Sequence, residues 1–254
     1  MESIFFWRQV SNLTVANLKA RYRKTIAGFI WVILNPLVLF AVQSFAFRNV
    51  LKVNTPNYSI FLLSGLLPWI FLTQSLEMCT GILLNSGKML KSFPIHPLVF
   101  VMAQIVDNGI NFLAAFILIG VPTAVVSLTW SARLLLIPIP IIFLFISILS
   151  LSFILSMLQV FFRDTRFLVT FLLQVFFFVT PIFYPPSLVP ENFKWLIRVN
   201  LFYYLIAPFR TVILDFDLFE FYKECLSASA ICVALTLLAL LYWKKYRNAL
   251  YFNV

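Results

Sequence analysis

The residues equipped for chemistry are few, and their spacing fits no catalytic centre. Gly81, Gly87 and Lys88 echo a phosphate-binding loop, but the two glycines stand six positions apart where that motif needs five. Met89 also occupies the place of the magnesium-binding Ser or Thr, so the chain has no nucleotide site of that kind. The single His96 cannot build a zinc or histidine-based centre, and Cys79, Cys225 and Cys232 lack disulfide or metal-ligand spacing. No GxSxG or HExxH pattern occurs, and the chain carries only 9 acids. One of them, Asp107, lies inside an apolar run together with Asn108 and Asn111. A carboxylate there has two readings, a functional intramembrane group or a hydrogen-bonded or snorkelling side chain about ten residues from the end of its run. A cluster of cations, Arg21, Arg23 and Lys24, precedes the first apolar run.

The elements that position these residues are membrane spans. Six apolar runs, at residues 25–47, 58–76, 98–128, 135–162, 167–184 and 225–243, compare with the roughly 20 residues a spanning helix needs. The composition, 62% hydrophobic and 11% charged with 30 Phe, leaves too little polar surface for water to solvate. Backbone polar groups in a bilayer core must be satisfied within their own segment, and the runs lack the alternation of barrel strands. The expected fold is therefore an all-α membrane protein of six transmembrane helices, forming a single domain over residues 1–254.

An even number of spans puts both termini on one side. That side carries 12 of the 19 basic residues, at Arg8, Lys19, Arg21, Arg23, Lys24, Lys88, Lys91, Arg163, Arg166, Lys244, Lys245 and Arg247. The remaining 7 lie opposite, so the positive-inside rule places both termini in the cytoplasm. The net charge of +10 is thus read as topology and attraction to anionic membrane lipid, not as affinity for nucleic acid.

Residues 1–24 show no cleavable signal peptide, since Arg8, Gln9, Asn12, Asn17 and Lys19 interrupt the apolar content. Ile4, Trp7, Val10, Leu13, Val15 and Leu18 recur at helical spacing, which predicts an amphipathic helix in the interface, serving as an anchor or as a contact for a partner. Residues 82–92 predict a short helix with a basic face, stopped by Phe93 and Pro94. The long connection 185–224 is too apolar for disorder. Its stretch 191–214 predicts two short helices, which either dip back into the outer leaflet or cover the bundle as a surface cap.

Several local patterns resemble the type-2 ABC export permeases, above all those of polysaccharide export. They are Arg21-Tyr22-Arg23-Lys24-Thr25 with Gly28-Phe29-Ile30-Trp31 and Leu34-Asn35-Pro36-Leu37, then Phe61-Leu62-Leu63-Ser64-Gly65-Leu66-Leu67-Pro68-Trp69. Phe162-Arg163-Asp164, Thr180-Pro181-Ile182-Phe183-Tyr184 and the stretch from Asn200 to Arg210 follow in the same order. The resemblance implies a six-helix subunit that pairs with a second copy of itself around a pathway. Two copies of a separate ATPase subunit would hold the ATP and magnesium, with no cofactor in this chain. It also implies a coupling helix at residues 82–94, with Asn85, Ser86, Lys88, Met89, Lys91, Phe93 and Pro94 facing the motor, and an outer gate at 185–224.

Sugar rings stack their apolar faces on aromatic rings, and a sliding polymer needs many weak contacts. Phe177, Phe178, Phe183, Tyr184, Trp195, Phe202, Tyr203 and Tyr204 are the expected path and gate residues, and Arg21, Arg23 and Lys24 the expected contacts for a lipid pyrophosphate. The expected function is export of a lipid-linked polysaccharide of O-antigen type across a bacterial inner membrane. Teichoic acid, capsule or a drug are alternative cargoes. An integral membrane glycosyl or acyl transferase is the alternative of a different class, against which the scarcity of His and acids argues.

Overall fold

The computed structural model describes residues 2–22, 30–50, 56–122, 132–214 and 216–253. Eleven helices are described. They are α1 (Glu2–Tyr22), α2 (Ile30–Ser44), α3 (Tyr58–Thr80), α4 (Ile82–Asn85), α5 (Gly87–Ser92), α6 (Pro97–Ala115), α7 (Pro138–Phe161), α8 (Thr165–Val179), α9 (Lys194–Val199), α10 (Leu201–Ile213) and α11 (Leu218–Asn253). Wider π-turns extend α2 over Phe45–Val50 and α6 over Phe116–Gly120. No strand occurs among the described residues.

Five helical spans are long and apolar enough to cross a membrane: Ile30–Val50, Tyr58–Thr80, Pro97–Gly120, Arg133–Phe161 and Leu218–Asn253. The count rises to six if α9 and α10, with the turn before them, form one span bent by 93°. The chain is therefore an all-helical, multi-pass membrane protein. The run expected at 167–184 is helical only over the 15 residues of α8, about 22 Å at 1.5 Å per residue. Pro181 cannot continue the helix, and the chain turns extended at Thr180. The last helix exceeds the expectation instead, running 36 residues and absorbing 218–224 from the long connection.

Burial ranks the spans. In α3, 17 of 23 residues are buried inside the chain, against only Pro36 in α2 and five of 36 residues in α11. A helix apolar all round is either a core element or a lipid-facing one; α3 is the core and α2 presents its surface outward. Leu62, Leu66, Leu72 and Leu76 of α3 pack with Leu144, Ile148 and Met157 of α7 and Ile105 of α6. The N-terminal α1 packs on α6, where Val10 joins Val99, Met102 and Ala103. The apolar residues of α1 do not share one face, since Ile4, Trp7 and Val15 point outward while Val10 and Thr14 point into the bundle.

Helix ends at membrane depth need partners for their free carbonyls. Arg133 supplies one by donating to the Leu214 carbonyl (2.8 Å) and the Ile213 carbonyl (3.5 Å) past the end of α10. Asn200 holds the bend before α10 from both sides. Its Oδ1 accepts the Phe202 N–H (3.0 Å) and its amide donates to Thr180 Oγ1 (2.8 Å). Outside the spans, His96 Nδ1 accepts the Leu98 N–H (3.2 Å) at the start of α6, and burial holds its pKa below the usual value. Both facts favour the neutral ring there.

Gly65 is packed more tightly than Gly81, Gly109 or Gly120. Arg210 of α10 lays its guanidinium over the Phe61 ring, 4.2 Å from the centroid, and donates to the Ile182 carbonyl. A Cβ on Gly65 would stand 2.7 Å from Arg210 Nη2 and 3.3 Å from the Ile182 carbonyl oxygen. Gly65→Ala is expected to lower the thermal midpoint of the purified protein by the equivalent of roughly 1–3 kcal/mol. In an open helix the same change would raise stability by about 1 kcal/mol. A raised midpoint would show that Arg210 swings aside at no cost.

Candidate transport sites

Three places bring functional side chains together. The first is the helical pair α4–α5, which breaks at Ser86. Leu83 and Leu90 are buried beneath it, while Asn85, Lys88, Met89, Lys91, Phe93 and Pro94 are exposed and Ser86 is half-buried. This amphipathic split pins the pair to the bundle by two leucines and turns a basic, partly apolar face outward. Phe93, a large ring, is 57% exposed.

The second place is aromatic. Phe177, Phe178 and Tyr184 all contact Phe183, with ring centroids 5.3, 6.1 and 5.3 Å away, and Phe47 of α2 approaches it to 4.4 Å. Trp69 bridges this group to Phe202, lying 6.0 Å from Phe177 and 5.8 Å from Phe202. Five of the eight expected residues thus form one cluster across α3, α8 and α10. Within it Phe183 and Phe202 are buried and serve as packing, whereas Phe178 projects outward. Tyr203 and Tyr204 form a separate pair at 5.3 Å, and Trp195 of α9 is exposed. Tyr184 and Tyr204 are also braces, since their hydroxyls donate to the Phe178 carbonyl (2.9 Å) and the Arg198 carbonyl (3.1 Å).

The third place joins residues that the sequence left apart. Arg21, at the end of α1, ion-pairs with Asp107 of α6 at 2.6 Å and donates to Asn108 Oδ1 at 3.0 Å. Gln104 donates to both of these acceptors (3.2 and 3.3 Å), and the Asn108 amide donates to Ser75 of α3 (3.3 Å). Arg21 thereby reaches α6 directly, and α3 both through Asn108 and by donating to Met78 Sδ at 3.5 Å. Its two expected companions, Arg23 and Lys24, lie outside the described residues. Sequence spacing showed Asp107 but no partner, because the two residues stand 86 positions apart and meet only when α1 packs along α6.

This architecture is that of a multi-pass helical membrane protein, and the wider comparison gives its family. The chain belongs to the ABC-2 type transporter family, whose profile matches residues 8–214. It is 30% identical over 243 residues to an O-antigen export system permease protein RfbA of Klebsiella pneumoniae, covering 93% of this chain and 92% of that one. A second Klebsiella pneumoniae protein of the same name is 29% identical over the same shares. An RfbA of Myxococcus xanthus is 31% identical over 181 residues, 71% of this chain and 70% of that one.

The ion pair is asymmetric, with the Asp107 side chain 1% exposed and that of Arg21 27% exposed. Removing one member of a buried pair costs about 3–5 kcal/mol, whereas replacing both by apolar groups is often neutral. Arg21→Met is expected to destabilise more than Asp107→Asn, because it leaves a buried carboxylate without its cation. Arg21→Met with Asp107→Leu should recover most of the loss. Thermal unfolding of the purified variants checks this ordering; additive losses in the double variant would remove the pair as a stabilising unit.

Proposed function

We propose that the chain is the transmembrane subunit of an ATP-driven exporter that moves a lipid-linked polysaccharide of O-antigen type across a bacterial inner membrane. The observation that carries this reading is the end-to-end match to permeases named for O-antigen export, over more than nine-tenths of both chains. Two copies of the chain pair around a common path, and two copies of a separate nucleotide-binding subunit hold ATP and magnesium. Both termini face the cytoplasm, the side richer in cations. The outward surface of α2 and the exposed face of α8 at Phe167, Phe171 and Phe178 give the apolar area that a second copy or lipid would cover.

The motor acts on α4–α5. ATP-driven closure presses on the exposed face from Asn85 to Pro94, and Leu83 and Leu90 pass the load into α3, α6 and α7. At the opposite end the bent pair α9–α10 forms the outer gate, dipping into the outer leaflet. Its apex residues Leu201 and Phe202 lie beside Leu72 and Ile148, deep in the bundle, while its far end meets Arg133. Phe177, Phe178, Tyr184, Trp195, Tyr203 and Tyr204 offer ring faces to the passing sugars, backed by Phe183 and Phe202. At the entry, Arg23 and Lys24 with the exposed part of Arg21 receive the pyrophosphate of the lipid carrier.

Cells lacking the chain are expected to lose surface polysaccharide and to accumulate the lipid-linked polymer inside, with surface display restored by the intact gene. Normal display without the chain would overturn the reading. Phe93→Ala tests the docking face separately. Fold stability should change by no more than about 0.5 kcal/mol, as at other surface positions. Retention of the ATPase subunit on affinity-purified permease should fall roughly tenfold, the effect of losing about 1.4 kcal/mol from an anchoring ring. Undiminished retention would place the motor elsewhere.

A further inference from the structure

A groove of about 190 Å³ runs between α3 and α8 and continues the aromatic cluster toward α4–α5. Trp69, Thr73 and Glu77 line it from α3, and Gln174, Phe177 and Phe178 from α8. The three α3 residues recur at every fourth position and so form one stripe down the helix. Glu77 ends that stripe about 12 Å from Trp69 at 1.5 Å per residue, three residues before α3 closes at Thr80. Glu77 and Gln174 are both exposed, and neither has a hydrogen-bond or ion-pair partner among the described residues. An ionised carboxylate left bare against lipid tails is costly. The inner mouth of the groove therefore opens to water or to polar cargo.

We propose that Glu77 is a charge filter at the inner mouth of the path, passing neutral polymer and rejecting polyanionic polymer. The proposal rests on the reading of the chain as a polysaccharide permease and assigns one residue to its choice of cargo. The groove shares Phe177 and Phe178 with the rings offered to the passing sugars, so cargo on those rings also meets the stripe that ends in Glu77. A cleft with low-dielectric walls focuses the field of the charge it holds. Selectivity is gained as readily by repelling the wrong partner as by attracting the right one. Thr73 and Gln174, both uncharged, add hydrogen-bonding groups that suit sugar hydroxyls.

Arg21 does not cancel this charge. It reaches α3 at Met78, lines a separate cavity between α2, α3 and α6, and is held by Asp107 at 2.6 Å, with no ion pair to Glu77. The cationic segment at the end of α1 thus suits the single pyrophosphate of the lipid carrier, while Glu77 meets the many repeats that follow it. Cargo classes divide on this point. A teichoic acid carries a phosphate in every repeat and is repelled at each one, whereas a neutral polysaccharide presents only hydroxyls.

The test uses the full chain purified with its ATPase subunit and placed in liposomes. The probes are the lipid-linked polymer that accumulates in cells without the chain, partly succinylated in one sample and partly acetylated in the other. The two esters are of similar bulk, and only the first is anionic. Half-maximal stimulation of ATP hydrolysis should need roughly tenfold more of the succinylated polymer, a difference of about 1.4 kcal/mol. That preference should largely disappear in Glu77→Gln and persist in Glu77→Asp, each variant being certified as folded by monodisperse elution with the ATPase subunit. It should also shrink in the unaltered complex as salt is raised, since the Debye length falls from about 10 Å at 0.1 M to about 3 Å at 1 M. Equal response to the two esters in the unaltered complex would overturn the filter. So would a preference that Glu77→Gln leaves intact, or an unmodified polymer that itself carries an acid in every repeat. Each of these leaves the export reading standing if cells without the chain still retain polymer inside. Normal surface display in those cells sinks the reading and the filter together.

Discussion

A hydrocarbon environment offers no hydrogen bonds, and the arrangement of this bundle follows from where its few polar groups find partners instead. Three arginines show the pattern. Arg133 closes the carbonyl end of α10, Arg210 joins α10 to the Ile182 carbonyl across Gly65, and Arg21 ties α1 to the Asp107 carboxylate. Each cation links an irregular or peripheral element to a spanning one. Apolar packing alone would leave such links loose, because in lipid a leucine gains little by exchanging a lipid neighbour for a protein one. The polar contacts therefore decide which helices hold together, and the leucine and phenylalanine layers fill the space between.

That division explains what was legible in the sequence. The spans were readable because a run of about 20 apolar residues has one physical meaning, and helices cover most of each of the six predicted runs. The break after α8 was less so. The apolar run from 167 to 184 carries Pro181 near its end, and hydropathy does not register the loss of helix there. The amphipathic character expected for α1 fared differently again. Helical spacing placed Ile4, Trp7 and Val10 in one series, but α1 packs chiefly along α6. Val10 turns toward Val99 and Ala103 while Ile4 and Trp7 stay outside.

The candidate sites divide along the same line. For α4–α5 the alternation of leucines with lysines already separated the buried from the exposed face, and all the residues expected to face outward are exposed or half-buried. Among the aromatics, residue type could not tell a wall from a filler. Phe183 and Phe178 stand five residues apart in similar company, yet one is 4% exposed and the other 66%. The Arg21–Asp107 pair was invisible because nothing local relates residues so distant in the chain. A lone carboxylate in a span nonetheless signals that a partner must exist.

The position of α3 connects these sites. Its 23 residues extend about 35 Å at 1.5 Å per residue, close to the span of the bilayer core. One end passes through Gly81 directly into α4, and the other carries Phe61 and Gly65 against Arg210 of α10. A helix with 17 of its 23 residues buried inside close-packed neighbours has little room to bend or compress. In the cycle proposed above, force applied at α4 moves α3 as one piece, and the contact of Arg210 with Phe61 passes that movement to α10. The same helix carries Trp69 beside the aromatic cluster. The pair α4–α5, the aromatic cluster and the Arg210 contact are thereby joined through one buried helix and not through a chain of loops.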